Sequence, residues 1–266
     1  MPRILVNGQW IDADAPALLA ADRGFRFGDG VFETIRVTPT GPLLWEAHMA
    51  RLARGLQALA IPFDVALLRP AARGFWEEEG GGAGFLRLSI SRGVGGRGYA
   101  PPPDPTPTWV MERLPDSPPL GRPRTLGLSR YEKISPKALP TYAKTAQALQ
   151  SVLARMEADA AGVDDVVLLD AEGHVAETSS ANIFWWQDGG WVTPSLETGA
   201  LAGVMRGCVM ACAEVVEGAF PYAALQQAEA VFLTNVRIGI AAVGNDHPKI
   251  AAVQQRVSER IKPLTW

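Results

Sequence analysis

Between Leu114 and Pro123 the chain places four prolines (Pro115, Pro118, Pro119, Pro123) among few apolar side chains. A stretch of that kind can neither continue a helix nor occupy the interior of a sheet. It divides the 266 residues into two parts that must each bury their own apolar surface. With 47% hydrophobic and 20% charged residues, both parts have the material for a packed core, and disorder is not expected. The net charge is −3 and no stretch is strongly basic, so nothing marks a nucleic-acid surface.

Local patterns within the two parts predict hairpins and separate helices. Ile4-Leu5-Val6, a turn at Asn7-Gly8 and Gln9-Trp10-Ile11 read as a hairpin. The glycine-punctuated RGFRFGDG runs into an alternating strand, Val31 to Val37. Met49, Leu52, Leu56 and Leu59 recur at helical spacing within 46–60, and the next strand is Phe85 to Ile90. Strands near Trp109 and at 126–129 flank the proline segment. The spacing then predicts a helix from Lys144 to Ala161 with Leu149, Val152, Leu153 and Met156 on its buried side. A hairpin follows, Val166 to Leu169 with a return strand from Val175 to Trp186, then a helix over 203–216 and a buried strand at 230–234. The mixture is α+β rather than a regular alternation of strand and helix. No window supplies the roughly 20 apolar residues of a membrane helix. Cys208 and Cys212 read as small buried side chains of a reducing compartment, which predicts a soluble, cytoplasmic protein without a metal.

Gly93, Gly95 and Gly98 match the dinucleotide pattern G-x-G-x-x-G, but Pro101-Pro102-Pro103 follows, where that fold needs the body of a helix. A surface turn, or a loop that touches substrate through Arg97, accounts for the glycines better. Lysine usage is more telling, with five lysines against twenty arginines. A Schiff-base lysine must shed its proton, which burial promotes and arginine cannot imitate. Lys249 and Lys262 lie in a polar C-terminal stretch, and Lys133 and Lys137 in a turn-like EKISPK. Lys144 alone opens an amphipathic pattern; taken singly, a solvated charge remains the plainer reading. Glu177 leaves a strand into Thr178-Ser179-Ser180-Ala181, a small-residue rim on which a carboxylate can approach a planar ring and hold its nitrogen protonated. Its plain reading is a solvated carboxylate at a hairpin edge.

The segments DRGFRFGDGVFETIRV, HMARL, SRGVGGRGY, the stretch at Lys144, AETSSANIFW, TPSLETGALAGVMR and LTNVRIGIAAV stand in the order and at the spacings of the fold-type IV pyridoxal-phosphate enzymes. The chain resembles that family from about Leu5 to Val243. The resemblance implies the fold of the D-amino-acid aminotransferases: a smaller N-terminal domain (1–114), a linker (115–122) and a larger C-terminal domain (123–266) carrying the cofactor lysine, with the cofactor cleft between them. It implies pyridoxal 5'-phosphate as cofactor, Lys144 as its Schiff-base lysine and Glu177 as the partner of the pyridine nitrogen. Arg51, which lies off the apolar stripe of its helix and by periodicity reads as solvated, takes the position of a phosphate ligand. The backbone amides of Val204, Met205 and Val236 match the phosphate cup, where many relatives carry threonine at the latter two positions. A homodimer, in which the loop at Arg97 completes the neighbour's site, is implied as well.

The family contains lyases and aminotransferases. Arg97 suits a substrate carboxylate, with Tyr99 where D-amino-acid aminotransferases place a histidine and Phe32 where they commonly have tyrosine. SRGVGGRGY, SSANIFW and GVMR look most like 4-amino-4-deoxychorismate lyase. That activity is ranked first, a D-amino-acid or (R)-selective transaminase second and a branched-chain transaminase third. A non-enzymatic binding protein ranks last, because binding alone needs neither Lys144 nor Glu177.

Overall fold

The computed structural model describes residues 3–117 and 120–261. Pro118 and Pro119 of the expected linker, and Lys262, lie outside the described residues. Among the described residues the chain forms two compact units, residues 3–117 with 143–147, and residues 120–142 with 148–261.

The first unit runs β1 (Arg3–Val6), β2 (Gln9–Asp12), α1 (Arg23–Phe27), β3 (Gly30–Thr38), β4 (Gly41–Pro42), α2 (Trp45–Ala58), α3 (Leu68–Glu78), β5 (Gly84–Ser91) and β6 (Thr108–Leu114). Its six strands order β2-β1-β6-β5-β3-β4, with β3 antiparallel to β5 from Gly30↔Ser91 to Val37↔Gly84. The β1–β2 turn has Asn7 at φ 50° and Gly8 at φ 82°, a doubly left-handed turn that matches strand twist and favours this residue pair. Helices α2 and α3 cover one sheet face, burying Met49, Leu52, Leu56, Leu68, Phe75 and Trp76 against Val31, Ile35, Leu86 and Leu88. Each such side chain contributes about 1.5–3 kcal/mol by leaving water.

Residues 143–147 belong to this unit, although expected with the C-terminal half. They pair on the N-terminal end of β3: Val31 bridges Thr145, the Phe32 amide donates to the Lys144 carbonyl (3.0 Å) and the Ala146 amide to the Gly30 carbonyl (2.8 Å). That pairing commits the backbone on both sides of Lys144 to β3, so the helix expected from Lys144 starts only at Leu149.

The second unit runs β7 (Leu126–Glu132), α4 (Leu149–Ala161), β8 (Asp165–Leu169), β9 (Val175–Thr178), β10 (Asn182–Gln187), β11 (Gly190–Pro194), α5 (Val204–Met210), β12 (Val215–Gly218), α6 (Tyr222–Gln226), β13 (Ala230–Asn235), β14 (Gly239–Val243) and α7 (Pro248–Arg260). It holds a three-stranded sheet, β7-β8-β9, and a five-stranded one, β12-β11-β10-β13-β14. The expected return strand from Val175 to Trp186 is broken: β9 pairs with β8, and β10 passes into the other sheet beside β11 and β13. Phe184 and Phe232 stack at 5.0 Å inside that sheet's core, with Trp191 edge-on to Phe232 at 4.9 Å.

Two further expectations change. Helix α4 buries Ala154 and Ala158, which with Val166 and Leu168 form a small core, while Leu149, Val152 and Met156 are 70%, 51% and 62% exposed. Small side chains let the helix lie close on β7 and β8, so the alanine face wins over the larger apolar stripe. The helix expected over 203–216 stops at Met210, and Val215–Gly218 pairs in parallel with β11 instead. Cys208 and Cys212 are free thiols, and burial, then the adjacent Cys212, pushes the Cys208 thiol up to about 11. Among the described residues no helix is long and apolar enough to cross a membrane.

Candidate active site

In the first unit the candidate residues sit on and beside β3. Strand alternation turns Val31, Glu33, Ile35 and Val37 inward and leaves Phe32 half-buried on the opposite face. The Lys144 Nζ lies over the Phe32 ring at 4.5 Å, and the Arg87 guanidinium over the same ring at 4.4 Å. The structure therefore brings Lys144 and Phe32 together.

Glu33 stands fully buried in an otherwise apolar row, and α2 explains it. Arg51 donates from Nε to Glu33 Oε1 (2.7 Å) and from Nη2 to Oε2, and His48 Nδ1 meets Oε2 at 2.7 Å. Arg51 is 4% and His48 1% exposed, so the reading of Arg51 as a solvated charge is corrected. A guanidinium can face a core when a carboxylate waits there, and hydropathy periodicity does not register this. Burial by itself raises the Glu33 carboxyl, but the hydrogen bonds from Arg51 and His48, with their charges, bring it down to about 2. Glu33 and His48 were missed from the sequence, where a carboxylate at an inward strand position was the available signal.

Arg97 and Tyr99 lie in the loop after β5. Both are exposed, Tyr99 by 87%, with its ring 5.5 Å from that of Phe27. Among the described residues the Arg97 side chain has neither a hydrogen bond nor an ion pair.

In the second unit Glu177 is on β9, 7% exposed. Its Oε1 accepts from Lys133 Nζ, and its Oε2 from Asn182 Nδ2 (3.2 Å) and the Leu201 amide (3.0 Å). Three donors on two oxygens fix the direction of the carboxylate. Lys133, read from sequence as a turn lysine, is thus a neighbour of the site, 14% exposed. The small residues after Glu177 serve a different group. Thr178 Oγ1 and Ser180 Oγ donate to Asp165 Oδ2, and the Ser179 amide to Oδ1, so this run bends the strand between sheets rather than lining a rim.

Helix α5 starts at Val204, and its N-cap Gly203 gives no side-chain bond, so no side chain caps the amides of its first turn. A Cβ on Gly203 would lie 2.0 Å from Asn182 Oδ1. Asn182 therefore ties the carboxylate of Glu177 to the approach to α5 at a point where only glycine fits. Met205 is buried, Val204 half-buried, and Val236 occupies the β13–β14 turn, where Asn235 Oδ1 accepts from the amides of Arg237 (2.8 Å) and Ile238 (2.9 Å).

The first unit offers a lysine amine against an aromatic ring and an arginine held by an acid, and the second a buried carboxylate with three donors and a helix start whose N-cap is glycine; these are the kinds of group that a phosphorylated aldehyde with a basic ring nitrogen requires. The buried Thr141 hydroxyl, three residues before Lys144, has no hydrogen-bond partner, the mark of a polar surface built for something further. The residues present fit pyridoxal 5'-phosphate. Comparison with known proteins agrees. The family model described as amino-transferase class IV matches residues 30–245, and the chain belongs to that family. It is an enzyme of the fold-type IV, pyridoxal-phosphate-dependent kind.

Aminodeoxychorismate lyase of Vibrio harveyi is 32% identical over 255 residues, 92% of this chain and 91% of the relative. The branched-chain-amino-acid aminotransferase of Salmonella typhimurium is 26% identical over 257 residues, 90% of this chain and 83% of the relative. The crystal structure of 4-amino-4-deoxychorismate lyase from Pseudomonas aeruginosa superposes with a TM-score of 0.86 at 31% identity, covering 96% of this chain and 98% of that one.

Proposed function

We propose that this enzyme is a lyase that converts 4-amino-4-deoxychorismate to 4-aminobenzoate and pyruvate. The observation that carries the reading is the similarity, at 31–32% identity over at least nine-tenths of both chains, to two proteins described as that lyase. The second reading, a transaminase, is favoured by the 26% identical branched-chain relative.

Pyridoxal phosphate, when bound, supplies a ring that withdraws electrons from the carbon bearing the substrate's amine. Lys144 is the amine that would hold the cofactor and, as a free amine, would carry a proton at the reacting carbon. Its place over Phe32 restrains the Nζ. Glu177 would meet the ring nitrogen and favour its protonated form, and Lys133 and Asn182 aim the Glu177 carboxylate. Arg51, braced by Glu33, balances the phosphate charge, and the amides of Val204, Met205 and Val236 supply neutral donors, as amides at a helix start do for anions. Met205 and Val236 bring no hydroxyl, so Arg51 takes a larger share of the phosphate than in relatives with threonine there. Arg97 binds a substrate carboxylate by a two-pronged contact, with Tyr99 beside it. Assembly as a homodimer and a cytoplasmic location belong to the same reading.

The test is a substrate panel on purified enzyme. Release of 4-aminobenzoate and pyruvate from 4-amino-4-deoxychorismate is expected, with little exchange of keto acids against D-alanine, L-leucine or (R)-1-phenylethylamine. Turnover confined to L-leucine would replace the lyase by a branched-chain transaminase. Lys144→Ala should abolish the absorbance band of the lysine-bound cofactor; an unchanged band would move the attachment elsewhere.

A further inference from the structure

The loop from Gly93 to Ala100 is built around a guanidinium from another element. Gly93, Gly95, Gly96 and Gly98 have φ of 84°, 122°, 80° and 59°, a left-handed run that curls the backbone and turns its carbonyls to one side. A Cβ on Gly93 would lie 1.9 Å from the Thr106 carbonyl oxygen, and one on Gly96 2.1 Å from that of Ala100, so the curl leaves no room for side chains at either position. Into the curl reaches Arg23, from the first residue of α1 and only 5% exposed. Its Nη1 faces the carbonyl oxygens of Gly95 (3.5 Å), Gly98 (3.3 Å) and Ala100 (3.2 Å), and its Nη2 donates to that of Tyr99 (3.0 Å). The Arg23 amide donates to the Gly93 carbonyl as well.

The guanidinium is itself anchored. Its Nε donates to Asp29 Oδ2 (2.8 Å), and the same carboxylate takes two bonds from Arg92, Nε at 2.8 Å and Nη2 at 2.9 Å. Arg92 in turn donates to the carbonyls of Leu59 and Ala60 at the end of α2. A chain of charge-assisted bonds thus runs from α2 through Arg92, Asp29 and Arg23 to the loop backbone on both sides of Arg97. The Arg97 side chain takes no part in it.

We infer that Arg23 is a positioning residue for substrate selection: by gathering the loop carbonyls it presents Arg97 to the substrate carboxylate. The inference rests on the proposed role of Arg97. A guanidinium has five donors in a planar fork, so it can hold a carboxylate on one edge and several carbonyls on the other, which an ammonium cannot. Without it those carbonyls lose their shared donor, and the loop samples conformations in which Arg97 is misplaced.

The experiment compares Arg23→Gln, Arg97→Ala and the double variant in the cofactor-loaded enzyme. Arg23→Gln is expected to raise KM for the carboxylate substrate about tenfold or more, with kcat changed less than about threefold and the cofactor absorbance retained. The double variant should be no worse than Arg97→Ala alone, because Arg23 acts through Arg97. Independently of turnover, trypsin should cut after Arg97 faster in Arg23→Gln than in the wild type. If Arg23→Gln does not fold, Arg23→Lys, which keeps the pairing to Asp29 but cannot span the carbonyls, is measured in its place. An unchanged KM and cutting rate, or losses that add in the double variant, would overturn the inference. An unchanged KM in Arg97→Ala would instead remove the reading of Arg97 on which it stands.

Discussion

Glu33 shows how one residue ties strand, helix and site together. It is a carboxylate on the core face of β3, tolerated because α2 delivers Arg51 and His48 to it. Its carboxyl lies at about 2 in the folded protein against 4.5 ordinarily, so folding favours the ionised form. A depressed value contributes stability that is complete above pH 4.5 and is lost as pH falls through 2. Glu33→Gln is therefore expected to cost on the order of 3 kcal/mol at pH 7, by leaving Arg51 buried without its anion. It should also flatten the fall in stability below pH 4.5, and urea unfolding at a series of pH values measures both. An acid limb identical to wild type would show that another carboxylate controls it. Lys133 is the counterpart in the second unit: a turn lysine in the sequence, an ion-pair partner of Glu177 in three dimensions.

At the scale of elements, the informative cases are α4 and the segment before it. Gly162 ends α4 in a left-handed conformation at φ 67°, as its sequence position suggests. Its start and its buried face were not legible, because pairing with β3 keeps residues 143–147 out of the helix and close sheet packing selects alanines. Ala158 has no exposed surface. Ala158→Leu must push α4 away from β8, with an expected loss of about 1–3 kcal/mol. Thermal unfolding of the variant checks it, and a wild-type midpoint would mean that the helix has slack against the sheet. The break between β9 and β10 has the same origin: Asp165 draws Thr178, Ser179 and Ser180 to itself, and the chain changes sheets at that point.

For the whole molecule, the cofactor should stabilise the fold it binds. A ligand at 100 times its dissociation constant adds about 2.7 kcal/mol, which for a chain of this size raises the melting midpoint by roughly 5–10 °C. Stripping pyridoxal phosphate is expected to lower the midpoint by several degrees, and adding it back should restore it. The shift should shrink in Lys144→Ala, which keeps only the non-covalent contacts. Calorimetry of the stripped and reloaded enzyme decides this, and equal midpoints would mean that the cofactor does not couple to folding.

Much of the molecule was legible in one dimension where the controlling interactions are local. The Asn7-Gly8 turn, the alternation of β3, the stripe of α2 and the glycine that ends α4 depend on neighbours a few residues away, and the ordered segments from Asp22 to Val243 identified the family. Partnerships across long separations could not be read in that way. Glu33 with Arg51, Lys133 with Glu177, and Arg23 with the loop at Arg97 join residues 18, 44 and about 75 positions apart. Periodicity reports which way a side chain points, but a buried charge is stable only if its counter-charge arrives from elsewhere. The packing of distant elements decides whether it does.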